Sequence, residues 1–386
     1  MTIGTEHEYS IIDQQFHALP VSDRILKEIC GRYESEILFG DVRLGKELQK
    51  TVIEMIPRSP AKDLVSLEAQ LTKGMAKFNR VFANRYQLLG LGMHPTARPD
   101  EIPVWDHDEA EYYEAYDRLF NIRQHGWLNI QALQINLSYQ NSRELVALYN
   151  KVRTLLPWLV AVTASSPVVE GTLTGTCDNR LVYYRENQKE MPRICDRIVP
   201  EKIRSVEDYR HQQEEIFSEL LSRDAGILCE EWVNSSGVII RFSRRCLEIK
   251  ALDEQESIRS DMAVCAFVRA LLRCRSLPVE TDHEALLQLT EDAIQNGTAG
   301  LKRELGHLYD AAWQHATVDE RFYLPVVKER ICNGSLAERI ADRISKGEGI
   351  TPVISEMAQS LKTNRPYGLS QPLNPREYIH EINNHH

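Results

Sequence analysis

The sequence has no dense run of lysine or arginine, and its formal charge is -10 over 386 residues. A nucleic-acid surface needs clustered cations that displace counterions from phosphates, so no nucleic-acid partner is expected. An uninterrupted apolar run of bilayer length is also missing: the longest stretch, near 155–169, is broken by Pro157, Ser165, Ser166 and Pro167. The opening MTIGTEHEYS carries neither the basic segment nor the apolar segment of an export signal. These absences point to a cytoplasmic protein that handles small molecules and does not enter membranes.

The eight cysteines, at 30, 177, 195, 229, 246, 265, 274 and 332, include no C-x-x-C and no paired spacing of the zinc-binding kind. They are expected to be reduced thiols, most of them small buried hydrophobes. No Gly/Ser-rich or Pro-rich linker interrupts the chain, so residues 1–386 are expected to form a single catalytic domain, mostly helical from about 256. What is there is ordinary for a globular protein: 42% hydrophobic and 26% charged residues.

Residues 2–12 alternate, with Ile3, Thr5, Tyr9 and Ile11 on one face and Gly4, Glu6, Glu8 and Ser10 on the other, which predicts a strand. Between 62 and 86, Leu64, Leu67, Leu71, Met75, Phe78 and Phe82 recur at steps of three and four, the stripe of an amphipathic helix. A second strand is predicted over 128–139, with Gln134, Asn136 and Ser138 on its polar side, and a third over 238–252. In the third, Arg244, Cys246, Glu248 and Lys250 share a face opposite Leu247, Ile249 and Ala251. Further helices are expected over 143–156, 206–222, 260–273, 284–296 and 336–345. Strands with one polar face, separated by long helices, imply an α+β fold: a curved antiparallel sheet with one open face, backed by helices.

Acids cluster on those polar faces. Glu6 and Glu8 stand two residues apart on one strand, hence about 6.6 Å apart on the same side. Unpaired carboxylates that close repel, so they call for a divalent metal, a basic partner or full exposure to water. Glu47 and Glu54, in ELQKTVIEMIP, are seven apart, which puts them on opposite faces of an unbroken strand; a turn or bulge must intervene if both act together. Glu248, in CLEIKALDEQ, is a single acid close to Lys250 and Asp253, and alone it reads equally well as half of a surface salt bridge.

The ordered set TIGTEHEYSIID, ELQKTVIEMIP, GMHP, LQINLSY, LPWLVAVTASSPVVEGTLTG and CLEIKALDEQ resembles glutamate-cysteine ligase family 2, the carboxylate-amine ligases, over about residues 2–255, with a fainter counterpart in NGSLAERIADRI. The resemblance implies a glutamine synthetase-like catalytic sheet, with ATP and Mg²⁺ (or Mn²⁺ as a substitute) activating a glutamate γ-carboxyl as an acyl phosphate for attack by an amine. It implies that Glu6, Glu8, Glu47, Glu54 and Glu248 are the metal ligands, Glu54 and Glu248 acting in catalysis. Bacterial members commonly have a histidine where Gln134 stands, and Asn136 follows two residues on, as in plant-type ligases. Gln134 and Asn136 are candidates for substrate or nucleotide binding: a neutral amide can offer a carbonyl oxygen to Mg²⁺ or an N–H to phosphate, but it cannot titrate. Phosphoryl transfer needs cations as well as metal. Arg180 and Lys250 are the candidates for catalysis and substrate or nucleotide binding, with Arg244 for binding and Arg241 as an open alternative. The family position of Lys250 is usually arginine, whose bidentate fork lysine lacks.

The acceptor stays open between cysteine, which would place the chain in glutathione biosynthesis, and another amino acid or amine. Self-association into a homo-oligomer is also left open. A catalytically silent family member that binds a nucleotide or an amino acid, or serves as a partner subunit, is the competing expectation, and five mutually repelling acids argue against it. A zinc hydrolase built on His7, His94 or His125 is not expected, because no two histidines fall at ligand spacing. His94, before Pro95 in GMHP, is expected to be structural.

Overall fold

The computed structural model describes residues 1–195, 197–279 and 282–369. Ten strands form in it: β1 Ile3–Ile12, β2 Glu36–Phe39, β3 Val42–Lys46, β4 Val52–Pro57, β5 Gln87–Leu89, β6 Ala132–Ser138, β7 Val168–Val169, β8 Thr172–Leu173, β9 Val238–Arg241 and β10 Cys246–Asp253. Eight of them make one sheet in the order β2-β3-β4-β1-β6-β10-β9, with β5 pairing the end of β1, and every pairing is antiparallel. The fold is α+β, as the polar-faced strands and long helices imply.

The alternation in β1 decides which way the sheet faces. Ile3, Tyr9 and Ile11 are fully buried and pack with Leu133, Ile135, Leu247 and Ile249 against the helices Leu64–Phe82, Ser142–Thr163 and Ile258–Arg273. Burying each of the aliphatic side chains among them contributes roughly 1.5–3 kcal/mol. The opposite face of β1 carries Glu6 and Glu8.

The helix Leu64–Phe82 follows its predicted stripe, with Asp63 capping its first turn by accepting from the Ser66 amide at 2.7 Å. The helices Val206–Ser222 and Leu336–Ser345 match the periodicity to the residue. Three expectations change. The helix predicted over 143–156 runs on to Thr163 through Pro157, because every residue from Val152 to Thr163 is buried and packing there outweighs one missing N–H. Among the described residues this is the one helix long and apolar enough to cross a membrane, yet 78% of its most apolar window is buried inside the protein. The strand predicted from 128 begins at Ala132, since His125–Leu128 forms a short helical turn. The strand predicted over 238–252 is a hairpin: β9 and β10 are joined by a turn in which Arg245 takes a left-handed φ of 54°.

Candidate active site

Each acid reaches the open face by a separate local device. In β1 the period of two puts Glu6 opposite Gln134 of β6 and Glu8 opposite Glu54 of β4. Glu47 lies just past β3, and the chain turns over 48–51 before β4 brings Glu54 back, which is the break that the seven-residue spacing required. Glu248 pairs across β10 with Asn136. A β-bulge between Ile249 and Leu252 sets two residues of β10 against one of β6, and it leaves Lys250 on the same side as Glu248. All five glutamates line one cavity of about 540 Å³, together with Gln134, Arg180, Arg241, Arg244 and Lys250. Asn136 lies behind this lining, where its Nδ2 donates to Glu6 Oε1 at 2.8 Å and positions that carboxylate.

The cations are tied to acids already. Arg241 Nη1 donates to Glu248 Oε2 at 2.6 Å, and Lys250 Nζ stands 3.9 Å from its other oxygen. Arg244 Nη1 donates to Glu6 Oε1 at 2.7 Å from the hairpin turn. Arg180 is fully buried, with its Nε held by Asp253 Oδ1 at 2.7 Å, and Asp253 is fixed in turn by the Ser165 amide and the Ser166 hydroxyl, both at 2.8 Å. Glu8 accepts from the Ala132 amide and from Gln134 Nε2, each at 2.8 Å. Among the described residues, Glu8, Glu47 and Glu54 form no ion pair.

That imbalance shows in their proton affinities. Burial pushes the Glu54 carboxyl well above the ordinary range, and the charges of Glu6, Glu47 and Glu8 add to the effect. Glu47 is pushed up to about 8, by burial first and then by the charge of Glu8. Glu8 is raised by burial against the opposing Ala132 amide. Burial would also raise Glu6, but the Arg244 charge and hydrogen bonds from Glu54 and Asn136 hold it below its ordinary value. A buried all-oxygen set with this much uncompensated charge suits a hard divalent cation, which takes carboxylate oxygens and keeps water for the remaining positions.

Two expected results follow. In the metal-free protein the raised Glu47 favours its neutral form, so its contribution to stability is full below about 4.5 and is lost as pH rises to about 8. Thermal unfolding in chelator should therefore show Tm falling across that window, with Glu47→Gln flattening the decline; a wild-type profile as flat as the variant's would contradict the assignment. The second concerns Gly45, opposite Glu54, where an added Cβ would stand 2.9 Å from Glu54 Oε2. Gly45→Ala should displace that carboxylate and weaken divalent binding on the order of 10-fold, read by calorimetric titration with Mn²⁺.

An aromatic part of the cavity lining went unread in the sequence. The helix Ala110–Phe120 presents Tyr112, Tyr113 and Tyr116 to the cavity, where Tyr116 packs on Trp127 at 4.9 Å and Tyr112 on Trp232 at 5.6 Å between ring centres. The spacing of Tyr112 and Tyr116, one helical turn apart in AEYYEAY, was the available signal. Lys46, at the end of β3, is a further lining cation, paired with Glu109 at 3.1 Å. His94 is buried outside the lining, its ring nitrogen 3.2 Å from the Phe16 carbonyl, and His125 bonds Glu170 at 3.0 Å. His7 points to the core side of β1, so the three histidines share no site.

An open antiparallel sheet whose one wet face collects glutamates from three strands and the β3–β4 connection, flanked by arginine and lysine, is the arrangement expected of a carboxylate-amine ligase. The model of glutamate-cysteine ligase family 2 matches residues 2–356, and the chain belongs to that family. It is 47% identical over 370 residues to an uncharacterized protein of Archaeoglobus fulgidus, covering 95% of this chain and 100% of that one. It is 26% identical over 191 residues to a glutamate–cysteine ligase of Halobacterium salinarum, covering 46% and 47% of the two chains. In fold it resembles the crystal structure of a glutamate–cysteine ligase from Francisella tularensis in complex with AMP, with a TM-score of 0.69, 12% identity, and 100% and 97% of the two chains covered.

Proposed function

We propose that this chain is a cytoplasmic, ATP- and Mg²⁺-dependent ligase that joins a glutamate γ-carboxyl, or a similar carboxylate, to an amine. The observation that carries this reading is the convergence of Glu6, Glu8, Glu47, Glu54 and Glu248 on one cavity, three of them without a basic partner among the described residues. A binding module gains nothing from carboxylates that repel one another at such close quarters. The donor set also fits the metal: hard oxygens, buried, with Glu47 and Glu54 driven toward protonation by burial and by the charges of neighbouring carboxylates.

Glu6, Glu8, Glu47, Glu54 and Glu248 would hold the ions, directly or through water. When bound, Mg²⁺ neutralises the triphosphate and the charge that develops as the γ-phosphoryl group leaves. The protein's own groups do the rest. Gln134 and Asn136 hold Glu8 and Glu6 in place through their side-chain amides. Arg180, anchored through Nε by Asp253, keeps its terminal nitrogens near Lys250 O at 3.4 Å, long enough for both to turn to an anionic oxygen instead. Arg241, Arg244 and Lys250 supply further positive charge along the lining, available to phosphate oxygens. The donor carboxylate takes the γ-phosphoryl group to give an acyl phosphate and ADP, and the amine then displaces phosphate to give the amide.

The aromatic wall of Tyr112, Tyr116, Trp127 and Trp232 offers flat apolar surface for a base or an apolar substrate group. The test is a panel of amines, cysteine among them, incubated with ATP, Mg²⁺ and glutamate, with the product mass and phosphate release recorded. One amine should give a product heavier by glutamate less water, with stoichiometric phosphate. Nucleotide binding with no phosphate release from any donor and amine would instead indicate a silent binding protein.

A further inference from the structure

On the core side of β1, between the two active-site glutamates in sequence but facing away from them, His7 meets Glu254 and Asp261. All three side chains are fully buried. Glu254 follows β10, and Asp261 lies in the first turn of the helix Ile258–Arg273, so the cluster joins three segments of the core. His7 Nδ1 is 3.3 Å from Glu254 Oε1 and 3.4 Å from Asp261 Oδ2. Those separations are long for buried ion pairs, which this protein makes at 2.6 Å in Arg241–Glu248 and at 2.7 Å in Arg180–Asp253 and Arg330–Glu256. They equal the edges of a tetrahedron: donors about 2.0–2.1 Å from a central ion stand about 3.3–3.4 Å apart.

Three further observations point to an ion. Glu254 Oε2, both Asp261 oxygens and the buried Tyr9 hydroxyl have no hydrogen-bond partner. Tyr9 stacks on His7 with ring centres 5.9 Å apart. Among the described residues, His7 is the only basic group paired with either acid, so two buried carboxylates face a single imidazole. Finally, His7 Nε2 lies 2.8 Å from the Thr5 hydroxyl, a partner to which it can donate, so that with an ion bound the Nδ1 lone pair is free to turn toward the carboxylate side. A metal-ligating histidine is held in this way by its other nitrogen.

We propose that His7 Nδ1, Glu254 and Asp261 bind one divalent transition ion of the zinc class as a structural centre behind the sheet, with the Tyr9 hydroxyl or the second Glu254 oxygen completing its shell. A neutral imidazole and two carboxylates balance a dication, and mixed nitrogen and oxygen donors suit zinc better than magnesium. The ion would pin β1, and with it Glu6 and Glu8, to the helix Ile258–Arg273. It is closed to water and so has no part in hydrolysis.

The inference is independent of the ligase reading, and so is its test. Wild-type protein without an added tag, dialysed exhaustively against EDTA to strip exchangeable ions from the open cavity, is assayed by elemental mass spectrometry. One equivalent of zinc-class metal should remain, and unfolding in urea should release it to a chromogenic chelator. Glu254→Gln and Asp261→Asn should lose it, whereas Glu54→Gln/Glu248→Gln, which alters only the cavity, should keep it. Cells grown with Co²⁺ should yield protein with visible d–d absorption that is absent from Asp261→Asn. Folded, metal-free wild-type protein would overturn the proposal in favour of a proton shared among the three groups. Metal retained by Asp261→Asn, or lost from the cavity double variant, would overturn it too, and the wild-type measurement decides even if the core variants do not fold.

Discussion

Replacing Glu248 by glutamine should leave a folded protein that has lost on the order of 10³-fold in ATP turnover, about 4 kcal/mol of transition-state stabilisation. The two consequences come from different atoms. Glu248 is almost fully buried and accepts from Arg241 Nη1 at 2.6 Å; a glutamine of the same shape can still accept that bond through its carbonyl oxygen. Arg241 also keeps Glu231 at 3.9 Å, so the guanidinium is not stranded. What the amide cannot do is carry negative charge, and a carboxylate holding a metal against a triphosphate acts through that charge. Circular dichroism and thermal unfolding should be close to wild type while phosphate release collapses. A stable variant that retains turnover would remove Glu248 from the chemistry.

The second large effect is on stability. Asp253→Ala should cost about 3–5 kcal/mol, because it leaves Arg180 charged in an interior where both partners are essentially inaccessible to water. It also removes the acceptor of the Ser165 amide and the Ser166 hydroxyl. Replacing the pair together, as Arg180→Met/Asp253→Leu, should recover much of that loss, since well-packed apolar residues often substitute for a buried pair without penalty. Turnover should not recover, because Arg180 supplies positive charge to the cavity. Urea denaturation of the single and double variants gives the energies. Equal stability of wild type and Asp253→Ala would mean that the pair is not the anchor described here.

The face that carries the chemistry was legible because strand geometry is local. Period-two alternation alone assigned Glu6 and Glu8 to one side of β1, and the spacing of Glu47 and Glu54 demanded the turn that the chain makes. Which strands are neighbours is not local, and nothing in the spacing says that β1 lies between β4 and β6. It took the family resemblance to bring Glu54 and Glu248 to the same cavity as Glu6. The β9–β10 hairpin escaped notice because its turn, FSRR, has no Gly, Asn or Asp; Arg245 accepts a left-handed φ of 54° that such residues adopt more readily. That turn is what sends Arg241 and Arg244 into the cavity from the end of one strand and the bend after it.

The helix Val318–Asn333 was missed because its stripe is mixed. Val318–Asn333 has Pro325 inside it and buried residues on most of its circumference, so a single-face pattern could not announce it. Its stability comes from packing on the helix Ile258–Arg273 and from the capping box of Thr317 with Glu320. The aromatic wall escaped for another reason. Tyr112 and Tyr116 look like any half-buried helical face until Trp127 and Trp232 arrive from distant segments to complete it.

Binding of Mn²⁺ in the presence of a non-hydrolysable ATP analogue, followed by electron paramagnetic resonance, tests most directly whether the converging carboxylates carry a metal–nucleotide complex. Wild-type protein should bind Mn²⁺ in a form that exchanges with Mg²⁺ and tightens when the nucleotide is added, and Glu6→Gln/Glu54→Gln should abolish that nucleotide-dependent binding while remaining folded. Wild-type protein that shows no nucleotide-dependent Mn²⁺ binding, or a double variant that binds as tightly as the parent, would contradict the account.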